Sequence, residues 1–118
     1  MTSTMTSRTV ALSVAALTLG PAASLAQGWP SKPIRVIVPY PAGGGVDYIA
    51  RLVGKGMSER LRQQVLIDTR PGGSAIIGME LLKAAAPDGY TLAAASAGPL
   101  PINPHIFAKL PYDSLRDF

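Results

Sequence analysis

The feature that most constrains this 118-residue chain is a strand-like run that enters a glycine loop. Ile34-Arg35-Val36-Ile37-Val38 leads through Pro39, Tyr40, Pro41 and Ala42 into Gly43-Gly44-Gly45-Val46-Asp47. A short continuous apolar run bounded by turn residues reads as a strand buried on both faces, as in parallel sheets. A helical pattern follows at once, with Ile49, Leu52, Val53, Met57 and Leu61 near the 3.6-residue period. Strand, glycine loop and helix in that order aim backbone N–H groups and the positive end of a helix dipole at one small volume. Such a volume suits a negatively charged group.

The remaining pattern repeats the unit. Val65–Asp68 is a second strand candidate, closed by Arg70-Pro71-Gly72-Gly73, and Ala75 to Ala86 has helical character. Pro87-Asp88-Gly89 makes a turn into a third strand, Tyr90–Ala95, and Asn103–Phe107 reads as a short helix. Alternating strands and helices predict an α/β fold, a parallel sheet with flanking helices and right-handed crossovers. Ligands of such sheets bind beyond the carboxyl ends of the strands. Those ends are residues 39–47, 70–76 and 96–103. Gly54 and Gly56 weaken the first helix by up to about 1 kcal/mol each relative to Ala. Either they permit close packing on the sheet, or the helix ends near them.

Residues 1–26 read as a cleavable secretory leader. Arg8 is the only charge before Lys32, Val10–Leu19 is apolar, and Ser24-Leu25-Ala26 offers small residues for cleavage after Ala26. The apolar stretch is about half of the roughly 20 residues a membrane span needs. Residues 27–118 suit one small domain. The chain has no cysteine, which removes disulfides, thiolate metal sites and thiol catalysis together. Its net charge of +4 is scattered, so no basic face points to nucleic acid.

Within the loops, Gly43, Gly44 and Gly45 let the backbone approach a ligand. Asp47 is expected to cap the helix, with a free oxygen left for a ligand. Tyr40 either closes over the ligand or packs against the loop. A phosphate loop is excluded by spacing, since Gly56 follows Gly54-Lys55 and Ile49 stands where the first glycine belongs. The dinucleotide fingerprint fails as well, with Tyr48 or Val46 in place of its last glycine. His105 is the only histidine, no Gly-x-Ser-x-Gly elbow accompanies it, and Glu59 and Glu80 fall on polar helix positions. No catalytic residue, metal ligand or cofactor is therefore expected. The alternatives kept open are an α/β enzyme holding a nucleotide or acyl group at the glycine loop, and a truncated product without activity of its own.

Several motifs occur in a fixed order. They are Trp29 to Ile34, Val38 to Asp47, Arg70-Pro71-Gly72, Gly78, Ala86 to Leu92, Ile102-Asn103-Pro104, Leu110 to Asp113, and Asp117-Phe118. In this order, behind a leader, the chain resembles the amino-terminal portion of the substrate-binding receptors of tripartite tricarboxylate transporters, also called Bug-type receptors. The resemblance implies the first lobe, here truncated, of a two-lobed periplasmic flytrap that closes over a small carboxylate or related organic acid and delivers it to membrane subunits. It implies ligand contacts from Tyr40, Pro41, Ala42, Gly43, Gly44, Gly45 and Asp47, from Gly72, Gly73 and Ser74, and from Ser96 and Asn103. The chain departs from the family where Ala75, Ile76 and Ile77 replace more polar residues and where Ala97, Pro99 and Leu100 leave fewer donors. Fewer donors imply a ligand less charged than citrate, such as an aromatic or monocarboxylic acid. A single lobe is expected to bind it weakly, because it buries only one side.

Overall fold

The computed structural model describes residues 28–118, so the leader read from residues 1–26 lies outside the described residues. Three parallel strands, β1 (Ile34–Val38), β2 (Val65–Thr69) and β3 (Thr91–Ala93), form a sheet in the order β2-β1-β3. Ile34 is in register with Val65, and Val36 with both Ile67 and Leu92. Ile34, Ile37 and Val38 are 0% exposed, as a central strand covered on both faces requires. The α/β parallel-sheet expectation holds.

Helix α1 (Gly45–Leu61) connects β1 to β2, and α2 (Ile76–Lys83) connects β2 to β3. The first crossover runs outward from β1 to β2 and the second returns across β1 to β3, so right-handedness places their helices on opposite faces of the sheet. Ligand crevices form where strand order reverses in this way. Here that point is the gap between the carboxyl ends of β1 and β3.

Several boundaries differ from the sequence reading. α1 starts two residues before Asp47, with Gly44 as its cap residue, and continues through both glycines. A Cβ on Gly54 would stand 3.1 Å from Ile67 Cδ1 and 3.3 Å from Val65 Cγ1, so this glycine lets α1 lie close on β2. Gly56 has open space around it. Gly56→Ala is expected to stabilise the chain by about 0.5–1 kcal/mol through helix propensity and a less flexible unfolded state. A urea midpoint that fails to rise would contradict this.

The line of α1 that faces the sheet is Asp47, Ala50 and Gly54, not the apolar stripe the periodicity suggested. Ile49, Leu52 and Val53 are more than half exposed. Ile49 and Val53 instead flank an apolar groove of about 450 Å³ shared with Val36, Met57 and Leu92. α2 is shorter than the expected Ala75–Ala86: after Lys83 the last turn tightens, with Ala85 N donating to Leu82 O at 3.0 Å. β3 is three residues long, although Tyr90 O and Ala94 N continue its hydrogen bonds to β1. A wide turn at Gly98–Ile102, unforeseen in the sequence, precedes α3 (Asn103–Ile106). Its two prolines, Pro99 and Pro101, lack the N–H groups that a regular helix would use.

Candidate functional site

The loops after β1, β2 and β3 meet at the carboxyl edge of the sheet. In the first, Pro41 to Gly45 are all exposed and Gly43 takes a positive φ of 81°. α1 then begins without a side-chain cap, which leaves its first N–H groups to other partners. α2 also begins without a side-chain cap. Its first turn sits directly on the first loop, since a Cβ on Gly78 would lie 2.6 Å from Pro39 Cβ and 3.0 Å from its Cα. Both helices thus begin at this edge of the sheet without a side-chain cap, and each amino end favours negative charge.

The second loop has an unusual backbone. Gly72, Gly73, Ser74 and Ala75 have φ values of 131°, 54°, 54° and 73° in succession. For Ser74 and Ala75 the left-handed region costs about 1–2 kcal/mol each. The surroundings offset that cost. Asn103 Nδ2 donates to Ser74 O at 2.9 Å, and Tyr112 Oη, which itself donates to Pro99 O, lies 3.4 Å from the same amide nitrogen. Asn103, expected at the ligand, is 2% exposed and turned onto the second loop. Tyr112 is the group that sequence reading missed here, and a contact so distant along the chain leaves no local signal.

Asp47 is also turned inward, at 2% exposure, three places past the cap residue. Its Oδ2 accepts from Gly43 N at 2.8 Å and from Arg51 Nε at 3.0 Å, while Oδ1 is buried without a partner. It does not cap the helix as expected; it fastens the glycine loop to the body of α1. Arg51 was overlooked, although an acid followed four residues later by a base is a legible helical pair. The hydrogen bond from Arg51, then that from Gly43, holds the Asp47 carboxyl below its ordinary value of 3.8.

The third loop joins the first through Tyr40. Its hydroxyl lies 2.6 Å from Ser96 Oγ and accepts from Ser96 N at 3.1 Å. Of the expected site residues, the structure thus gathers Tyr40 to Gly45, Gly72 to Ser74 and Ser96 around the strand ends, with Asp47 and Asn103 behind them. His105, Glu59 and Glu80 are exposed. No group of three His, Asp or Glu side chains suited to a metal ion occurs among the described residues.

Three other carboxyls share the downward shift of Asp47. Asp68 is held low chiefly by Arg35 and then Arg70, Asp88 chiefly by the Tyr90 amide, and Asp117 chiefly by Lys83. A depressed folded pKa contributes stability that is complete above the unfolded value and is lost as pH falls through the folded one. Stability is therefore expected to be level down to about pH 5 and to fall steadily below about pH 4. Urea midpoints measured from pH 7 to pH 2.5 would show it; a level profile to pH 2.5 would contradict it.

A family model described as the tripartite tricarboxylate transporter family receptor matches residues 49–118. A UPF0065 protein of Bordetella bronchiseptica is 43% identical over 110 residues, which are 93% of this chain and 33% of that protein. The chain thus spans about a third of the length of such relatives. A solved structure described as a periplasmic transporter is 43% identical, with a TM-score of 0.69 over 73% of this chain and 29% of its own. MatC from Rhodopseudomonas palustris, solved with bound malate, is 32% identical, with a TM-score of 0.72 over 75% of this chain and 30% of its own.

Proposed function

This chain belongs to the tripartite tricarboxylate transporter family of receptors, and from that premise we propose that it supplies one wall of a periplasmic site that captures a small organic acid. The carboxylate lies at the glycine loop, on the Gly45 amide at the start of α1 and on the amides of the second loop at Gly72 to Ser74, while the Gly43 amide is held by Asp47. Ser96 meets the other end of the molecule, while Asp47 and Asn103 hold the loops from behind. The captured acid then passes to the membrane subunits of a tripartite transporter.

The observation that carries this reading is that α1 and α2 both begin without a side-chain cap at the carboxyl edge of the sheet, with Gly78 of α2 against Pro39 of the first loop. The malate bound to MatC supports the carboxylate class. The leader read in residues 1–26 and the likeness to a periplasmic transporter support the compartment. The enzyme alternative gains no support, since the only histidine of the sequence is exposed on α3.

The test is an NMR titration of the full chain with malate, benzoate and citrate. Malate or benzoate is expected to shift the amides of Gly43 to Gly45 and Ser74 saturably at millimolar concentration, with citrate weaker. If no carboxylate moves these amides, the reading fails.

A further inference from the structure

The contact between Tyr40 and Ser96 joins residues 56 apart in sequence and bridges the crevice between β1 and β3. The phenol oxygen accepts the Ser96 N–H at 3.1 Å and also lies 2.6 Å from Ser96 Oγ. A phenol is more acidic than an aliphatic hydroxyl, so it is the better donor and the poorer acceptor. With one lone pair already turned to the N–H, its own proton goes to Ser96 Oγ. The serine proton is then left over. Because Ser96 holds the same phenol oxygen through both its N–H and its Oγ, its χ1 angle is fixed as well.

We infer that Tyr40 is a positioning residue for ligand choice: it orients the exposed Ser96 hydroxyl as a hydrogen-bond donor across the crevice from the glycine loop. This rests on the carboxylate reading above and adds the chemistry of the ligand's far end. That end carries an acceptor, such as a second carboxylate or another oxygen, and not an ammonium group. A phenylalanine at position 40 would keep the ring and lose the orientation.

The experiment uses the full chain and three acids with similar carbon chains: succinate, butyrate and 4-aminobutyrate. NMR reads two quantities, the affinities from the amide shifts of Gly43 to Gly45 and the Ser96 χ1 from its Hα–Hβ couplings. Succinate is expected to bind tighter than butyrate, and butyrate tighter than 4-aminobutyrate. Y40F is expected to average the couplings of Ser96 and to lower the succinate-to-butyrate affinity ratio about fivefold, the value of one hydrogen bond. S96A is expected to lower that ratio equally, and Y40F/S96A no further, since the two residues act as one unit.

A single Ser96 rotamer persisting in Y40F would overturn the inference, as would an unchanged ratio in either variant. So would 4-aminobutyrate binding as tightly as succinate. In each of those results carboxylates still bind, and the function proposed above survives. If none of the three acids shifts the glycine-loop amides of the parent chain, both fail together.

Discussion

Gly78→Ala is expected to destabilise the folded chain by about 2 kcal/mol, although alanine is the better helix former. The added methyl meets the Pro39 ring at 2.6 Å and its Cα at 3.0 Å, with Arg70 O at 3.3 Å. None of these atoms is the free end of a flexible side chain. Overpacking of this kind costs about 3 kcal/mol at the upper end of its range, and helix propensity returns about 1. The same insertion would lift α2 and the second loop before it away from the first loop, so malate binding is expected to fall at least tenfold. Urea unfolding and the malate titration check the two parts independently. A variant as stable as its parent would show that α2 does not rest on Pro39. Gly56, whose surroundings are open, serves as the internal control because the same substitution there has the opposite sign.

Asn103→Ala carries the second large effect, a loss of about 2–3 kcal/mol. The amide it removes is the donor to Ser74 O, in a residue that is 2% exposed. Deleting one partner of a part-buried hydrogen bond leaves the other unsatisfied, which costs more than the bond contributed. The left-handed geometry at Ser74 and Ala75 then loses a support. Amide exchange at Ala75 and Ile76 is expected to accelerate more than exchange in β1. Ser74→Gly in the Asn103→Ala background is expected to recover about 1 kcal/mol, because glycine tolerates φ = 54° without penalty. If Ser74→Gly gives no recovery, backbone strain is not what Asn103 restrains.

The parallel sheet was legible because its evidence is local. Ile34–Val38 is a continuous β-branched run, and the glycine loop behind it has few other uses. The choice at Gly54 was not legible, since a helix ending there and a helix packed closely there write the same residues. Only Ile67 and Val65, brought near by the crossover, decide it. Asp47 was misread for a related reason. A cap and a residue three places beyond it differ only in where the helix begins, and Gly44 offers no side chain to mark that start. The ties between loops were invisible altogether. Tyr40 to Ser96 and Asn103 to Ser74 are set by tertiary geometry, and no periodicity records them. The apolar stripe of α1 was legible as a pattern, but its exposure was not, because among the described residues nothing covers Ile49, Leu52 and Val53.

The run from Gly72 to Ala75 also limits how a receptor built this way can diversify. Each of its four positions resists larger or β-branched replacements, and a Cβ at Gly72 would strike Ile77 Cδ1 at 2.6 Å. The glycine loop is similarly restricted where Gly43 turns at φ = 81°. Mutational drift in the ligand repertoire is therefore channelled to the third loop, at Ala95, Ser96 and Ala97, where exposed side chains can change without disturbing the backbone. A saturation library selected for new ligands should return its winners there.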